Sequence, residues 1–98
     1  MKKVNASITA VGSYLPPKVL DNKTLETMVE TTDEWITTRT GIKERRILEK
    51  GIGTSMMAIK AVKEILKKTQ LDPKQVDMVI VATITPDMHV SATAAHVA

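Results

Sequence analysis

Cysteine is absent from these 98 residues and so is phenylalanine; one tryptophan, one tyrosine, four glycines and four prolines are the other scarce types. Without cysteine this stretch holds no disulfide, no thiolate metal ligand and no cysteine nucleophile, a composition that fits a reducing compartment. So few aromatic rings leave the buried surface to Ile, Val, Leu, Ala and six Met, and the core is expected to be aliphatic. No run approaches the roughly 18 apolar residues that cross a bilayer. The opening MKKVNASITAVG is too interrupted by polar residues for a secretory leader. A cytoplasmic protein without a membrane segment is therefore expected. Glycine-rich phosphate loops are missing as well, because Gly51-Ile52-Gly53 lacks a third glycine and follows no clear strand. His89 and His96 do not have the spacing of a helical ligand pair, and no metal site is expected; they read as turn and helix-surface residues. A net charge of +3, with one Trp and one Tyr, gives neither the basic face nor the stacking platform of a nucleic-acid binder.

What is present is 43% apolar and 26% charged, the balance of a globular chain, at a length for one small domain or part of a larger one. Its most informative stretch is TTDEWITTRTGIKERR, residues 31–46. Thr31-x-x-Glu34 has the form of a capping box, so a helix is expected to start at Thr31, with Asp33 and Glu34 suiting its positive end. Gly41 is placed to take the left-handed turn that stops it. Trp35 and Arg39, four apart, share one face of this helix. A flat apolar ring beside a planar cation suits a purine that carries phosphates. The spacing fits equally a Trp in the core and an Arg on the surface, and leaves both readings open. Lys43, Arg45, Arg46 and Lys50 extend the positive charge.

In chain order, Val4, Ala6, Ile8 and Ala10 alternate with polar residues as in a strand with one buried face, ended by Pro16-Pro17. Lys18-Val19-Leu20 is too short to assign. Asp21 or Asn22 can cap a helix carrying Leu25, Met28 and Val29 on one face. Residues 41–53 read as an extended connection anchored by Ile42 and Ile47. Gly53-Thr54 opens the best helix, with Ala58, Ala61, Val62, Ile65 and Leu66 as its apolar stripe and Lys60, Lys63, Glu64, Lys67 and Lys68 toward water. Asp72-Pro73-Lys74-Gln75 starts a further capped turn. Met78–Thr83 is a near-continuous apolar run, the pattern of a parallel strand covered on both faces. Ser91 is expected to cap a last helix. Strand, helix and buried strand give a βαβ-like order, hence an α/β class.

Three blocks, Gly12-Ser13-Tyr14-Leu15-Pro16, then Thr31–Ile36 with Thr38–Ile42, then Val81-Ala82-Thr83 with Thr85-Pro86-Asp87, resemble in order and spacing the N-terminal part of β-ketoacyl-acyl-carrier-protein synthase III. The resemblance covers essentially all 98 residues. It implies a thiolase-like fold of two duplicated βαβαβ halves, with residues 1–98 forming most of the first half and stopping before the active-site cysteine. It also implies a homodimeric acyltransferase that starts type II fatty-acid synthesis. A cysteine takes the acyl group from acyl-coenzyme A, and a His and an Asn assist decarboxylative condensation with malonyl-acyl-carrier protein.

None of those three groups matches a residue here, so this chain alone is expected to be inactive. Coenzyme A enters as a substrate, and no cofactor is implied. What carries over is the coenzyme A mouth: Trp35 matches the adenine-stacking Trp, Arg39 the phosphate-side Arg, and Thr31 a contact beside them. Where family members commonly have Phe-Pro, this chain has Val90-Ser91. The Phe reaches across the dimer to line the partner's acyl pocket, so Val90 is the residue implied to sit there. Two other readings compete: a non-catalytic module binding coenzyme A or acyl-carrier protein through Trp35, Arg39 and the 43–46 basic group, and a related ketosynthase of secondary metabolism.

Overall fold

Two segments that look irregular in the sequence pair with each other. Lys18–Asp21 (β1) and Glu44–Ile47 (β2) form an antiparallel ladder, with Lys18 opposite Ile47 and Asp21 opposite Glu44. The computed structural model describes residues 2–88 and 92–98. These fall into two units, Leu15–Ile52 and Met1–Tyr14 with Gly53–Ala98.

In the first unit β1 runs straight into α1, Asn22–Glu26. Asp21 is its cap, accepting from the Thr24 amide at 2.8 Å, and this frees Asn22 to turn inward. The helix is shorter than the Leu25, Met28, Val29 pattern predicts, and Met28 and Val29 are exposed. The Thr27 hydroxyl donates to the Thr24 carbonyl at 2.6 Å, the kind of local side-chain bond that competes with helix continuation. Next, α2 spans Asp33–Thr40 and starts one residue later than the capping-box reading. Thr32, with extended backbone, is the cap; its hydroxyl accepts from the Trp35 amide at 3.1 Å. The carboxylate expected from Glu34 comes instead from α1, where Glu26 accepts from the Asp33 amide at 2.6 Å. Gly41, at φ 72°, ends α2 in the left-handed conformation as expected. Ile36 on α2 is the buried hydrophobic residue among those described.

The second unit is built on α3, Thr54–Thr69. Residues 11–14 lie along it. A Cβ at Gly12 would stand 2.6 Å from the Ala61 carbonyl oxygen, so glycine there and alanine on the helix allow backbone against backbone. The Ser13 amide donates to Glu64 at 2.9 Å, and Lys60 lies 4.7 Å from the Tyr14 ring centroid. Glu64 is also paired with Lys68 at 2.9 Å. Part of the charged face expected to meet only water thus fastens this segment. Asp72–Gln75 forms a capped single 3-10 turn over Pro73–Gln75, and α4 spans Thr93–Val97.

The N-terminus of α3 is completed from a distance. Gly53, at its cap position, has no side chain, and Asp87 supplies the missing acceptor. Its carboxylate takes the Ser55 amide at 2.7 Å and also the Ser55 hydroxyl. A Cβ at Gly53 would come within 2.7 Å of that carboxylate, so the glycine makes room for the cap. Thr54 donates to the Thr85 carbonyl at 2.5 Å, and the Asp87 amide reaches the hydroxyl of buried Thr93 at 3.4 Å.

Three expectations need correction. Residues 4–10 and 78–83 are in no ladder; Val4 and Ile8 are each 89% exposed and Ile80 83%. An apolar run records a need for cover, and a strand forms only where a neighbour satisfies its amides and carbonyls. The described ladder holds only β1 and β2. The cap position of α4 is Ala92, which has no group to bond; Ser91 itself, with His89 and Val90, lies outside the described residues.

Candidate functional site

The sequence-predicted binding pair sits on α2. Because Ile36 takes the inward position of that helix, Trp35 is turned outward and is 56% exposed. The Arg39 guanidinium carbon lies 5.4 Å from the Trp35 ring centroid, which is cation–π range. The reading of Trp35 as a core residue does not hold. Two open depressions share the indole as a wall. One, of about 260 Å³, is lined by Glu30, Thr31, Thr32 and Trp35. The other, of about 350 Å³, is lined by Thr32, Glu34, Trp35, Thr38 and Arg39. Thr31, relieved of capping by Thr32, is half-buried beside the ring. Thr31 thus meets the indole in the first depression and Arg39 in the second, with Trp35 the wall common to both, while Val90 falls outside the described residues.

A buried polar hub holds α2 in place. Asn22 is 1% exposed. Its amide nitrogen donates to Asp33 Oδ1 at 2.8 Å, to the Ile42 carbonyl at 2.8 Å and to Thr37 Oγ1 at 3.3 Å. Its amide oxygen accepts from Arg45 Nη2 at 2.6 Å, and its backbone amide donates to the Lys43 carbonyl at 3.1 Å. One side chain thus joins α1, both ends of α2 and β2. The bond from Asn22, followed by that from Thr37, holds the Asp33 carboxyl below the usual carboxylate range. Asp33 is a structural anion, in keeping with its reading as a first-turn acid.

The hub also divides the basic run. Arg45 is bonded to Asn22 and to the Leu20 carbonyl at 3.1 Å, and Arg46 donates to the Pro16 carbonyl at 3.1 Å. These two arginines hold β2 to the chain around it, so the 43–46 group is not the undivided anion-binding cluster of the module reading. Arg39 and Lys43 are the exposed cations nearest to the ring in sequence. Sequence reasoning missed Asn22, Arg45 and Asp87. Asn22 was visible only as a possible cap, and nothing in a single sequence separates a capping Asn from a buried one.

With a stacking face, an exposed fork of donors and a half-buried hydroxyl, the arrangement is suited to binding a flat ligand with anionic substituents. No family model matches the sequence. Among curated relatives, β-ketoacyl-[acyl-carrier-protein] synthase III of Phocaeicola vulgatus is 57% identical over 95 residues, which is 96% of this chain and 28% of that protein. A synthase III of Caldanaerobacter subterraneus is 55% identical over 93 residues, 95% of this chain and 28% of its own length. Among solved structures, the synthase III of Thermus thermophilus superposes with a TM-score of 0.85 at 47% identity, over 94% of this chain and 29% of that one. The chain thus spans under a third of the length of the relatives it matches. Its described elements are part of the first βαβαβ half of a thiolase-like α/β fold. In sequence across nearly all its residues, and in the path of its backbone, the chain is similar to a part of β-ketoacyl-acyl-carrier-protein synthase III.

Proposed function

We propose that this chain supplies the nucleotide-binding mouth of a β-ketoacyl-acyl-carrier-protein synthase III, with Trp35 receiving the adenine of acyl-coenzyme A, Arg39 a phosphate, and Thr31 flanking the ring. The observation that carries the reading is the outward Trp35 with Arg39 over its ring on a helix whose inward position belongs to Ile36. Relatives at 57% and 55% identity are both synthases III, which supports initiation of fatty-acid synthesis.

In this reading the intact enzyme is a cytoplasmic homodimer. It accepts an acyl group from acyl-coenzyme A, which is substrate and not cofactor, and condenses it with malonyl-acyl-carrier protein. The acyl-bearing cysteine and its His and Asn partners belong to the intact enzyme outside these 98 residues, which alone are inactive. A thiolate both attacks a thioester and leaves well, and two donors stabilise the enolate formed as carbon dioxide departs. The part of this chain is to hold the carrier end of the substrate, so that the thioester is presented in a fixed place. Val90 belongs to the acyl pocket across the dimer, and its small side chain admits longer or branched acyl groups than a Phe would. No helix among the described residues is long and apolar enough to cross a membrane.

The test is Trp35→Ala in the intact enzyme. Base stacking is worth about 1–3 kcal/mol by alanine substitution, so acyl-coenzyme A affinity should fall about ten-fold or somewhat more. Turnover at saturation should change little, because this contact is equal in ground and transition states. Unchanged affinity with an intact fold would place the nucleotide elsewhere.

A further inference from the structure

Asp87 is bonded to two helices, one through its side chain and one through its backbone. Its carboxylate takes the amide and the hydroxyl of Ser55 at the start of α3, and its own amide donates to Oγ1 of Thr93, the first residue of α4. Thr93 is buried, whereas Ala92 before it and Ala95 after it are exposed, so this residue is the inner anchor of that helix start. At 3.4 Å its bond to the Asp87 amide is the longer link, and burial keeps water from replacing it. The Thr54 hydroxyl holds the Thr85 carbonyl close by, and α4 packs against α3. Asp87 and Thr93 are thus set on one scaffold. It shares no residue with either depression at Trp35.

Val90 lies midway between Asp87 and Thr93 in the sequence. We infer that Asp87 and Thr93 are positioning residues for the acyl group: by fixing both ends of the segment that carries Val90, they set which acyl chains the pocket accepts. The inference rests on the assignment of Val90 to the acyl pocket given above. A valine side chain has no polar atom by which it can be held, so its place must come from the backbone on either side. A pocket wall discriminates between ligands that differ by a few methylenes only while it stays in place. The carboxylate–amide bond to Ser55 supplies a charge-assisted anchor at one end, and buried Thr93 supplies the other.

The experiment compares kcat/KM of the intact enzyme for acetyl-coenzyme A and hexanoyl-coenzyme A, in the parent, Thr93→Val, Thr93→Ser, Asp87→Ala and Val90→Phe. A ratio of two primers measured on one enzyme is indifferent to how much of that enzyme is folded, so lost stability cannot imitate the effect. Thr93→Val keeps the shape and removes the acceptor; Thr93→Ser keeps the acceptor. The parent's preference between the primers should shrink by about three- to ten-fold in Thr93→Val and Asp87→Ala, and Thr93→Ser should hold it near the parent value. An unchanged ratio in Thr93→Val or in Asp87→Ala, or an equal shift in Thr93→Ser and Thr93→Val, overturns the inference. If Val90→Phe alters the ratio in that case, the acyl-pocket reading of Val90 stands without it. If Val90→Phe leaves the ratio at the parent value, that reading is lost and the inference with it.

Discussion

Arg45 Nη2 donates to the buried Oδ1 of Asn22 at 2.6 Å, linking the strand that follows the candidate site to the helix that precedes it. Asn22 spends its two side-chain hydrogens on Asp33, Thr37 and Ile42 on the other side. Asn22→Ala should therefore leave several partners without a bond. A buried group left unsatisfied costs about 1–3 kcal/mol, and a loss of that order is expected in urea unfolding of the intact protein. Asn22→Asp should be worse at neutral pH, since it sets a second carboxylate against Asp33 and removes the donors. Wild-type stability in either variant would show that the hub contributes nothing.

The shift of the α2 cap by one residue gives a sharp pair of variants. Thr32→Ala removes the acceptor for the Trp35 amide and should cost about 1 kcal/mol of stability. Thr31→Ala removes no cap, so its effect on stability should be slight, and its effect should fall on coenzyme A affinity. The reverse ranking in thermal unfolding would restore the capping box on Thr31.

Asp87 sets an acid limit on α3. The Ser55 hydroxyl first, and then the Ser55 amide, hold its carboxyl below the usual carboxylate range. A folded value below the unfolded one means that the unfolded chain binds the proton more readily. The stabilisation is then fully present above the ordinary Asp value and is lost as pH falls through the lowered one. Hydrogen exchange at the Ser55 amide should accelerate on acidification below about pH 4. Asp87→Asn should raise exchange there at neutral pH and flatten its acid dependence. A parent Ser55 amide that exchanges equally fast at pH 3 and pH 7, after correction for intrinsic rates, would exclude the cap.

Features written into short windows were legible. The α3 stripe, the Gly41 stop and the Trp35–Arg39 spacing each need only local periodicity or one special residue, and the structure places all three. Features that join distant residues were not. Asp87 reads as a turn residue because its partner, Ser55, lies 32 residues earlier. Lys18–Asp21 looks too short for a strand until Glu44–Ile47 pairs with it. The run 78–83 showed the opposite failure: its composition states that it is made to be buried, and composition cannot supply the neighbour. The outward turn of Trp35 was undecidable for a related reason, since one helical face can be inner or outer depending on what Ile36 packs against.

The remote cap on α3 has a consequence for synthesis of the chain. A helix that carries its own cap can mature soon after it leaves the ribosome, but α3 starts at a glycine and waits for an aspartate 32 residues downstream of Ser55. At about 5–20 residues per second that wait is roughly 2–6 s. During it the first turn of α3 has an open amide at Ser55. Hydrogen exchange at that amide should therefore be faster in ribosome-bound chains stalled before residue 87 than in chains extended past it.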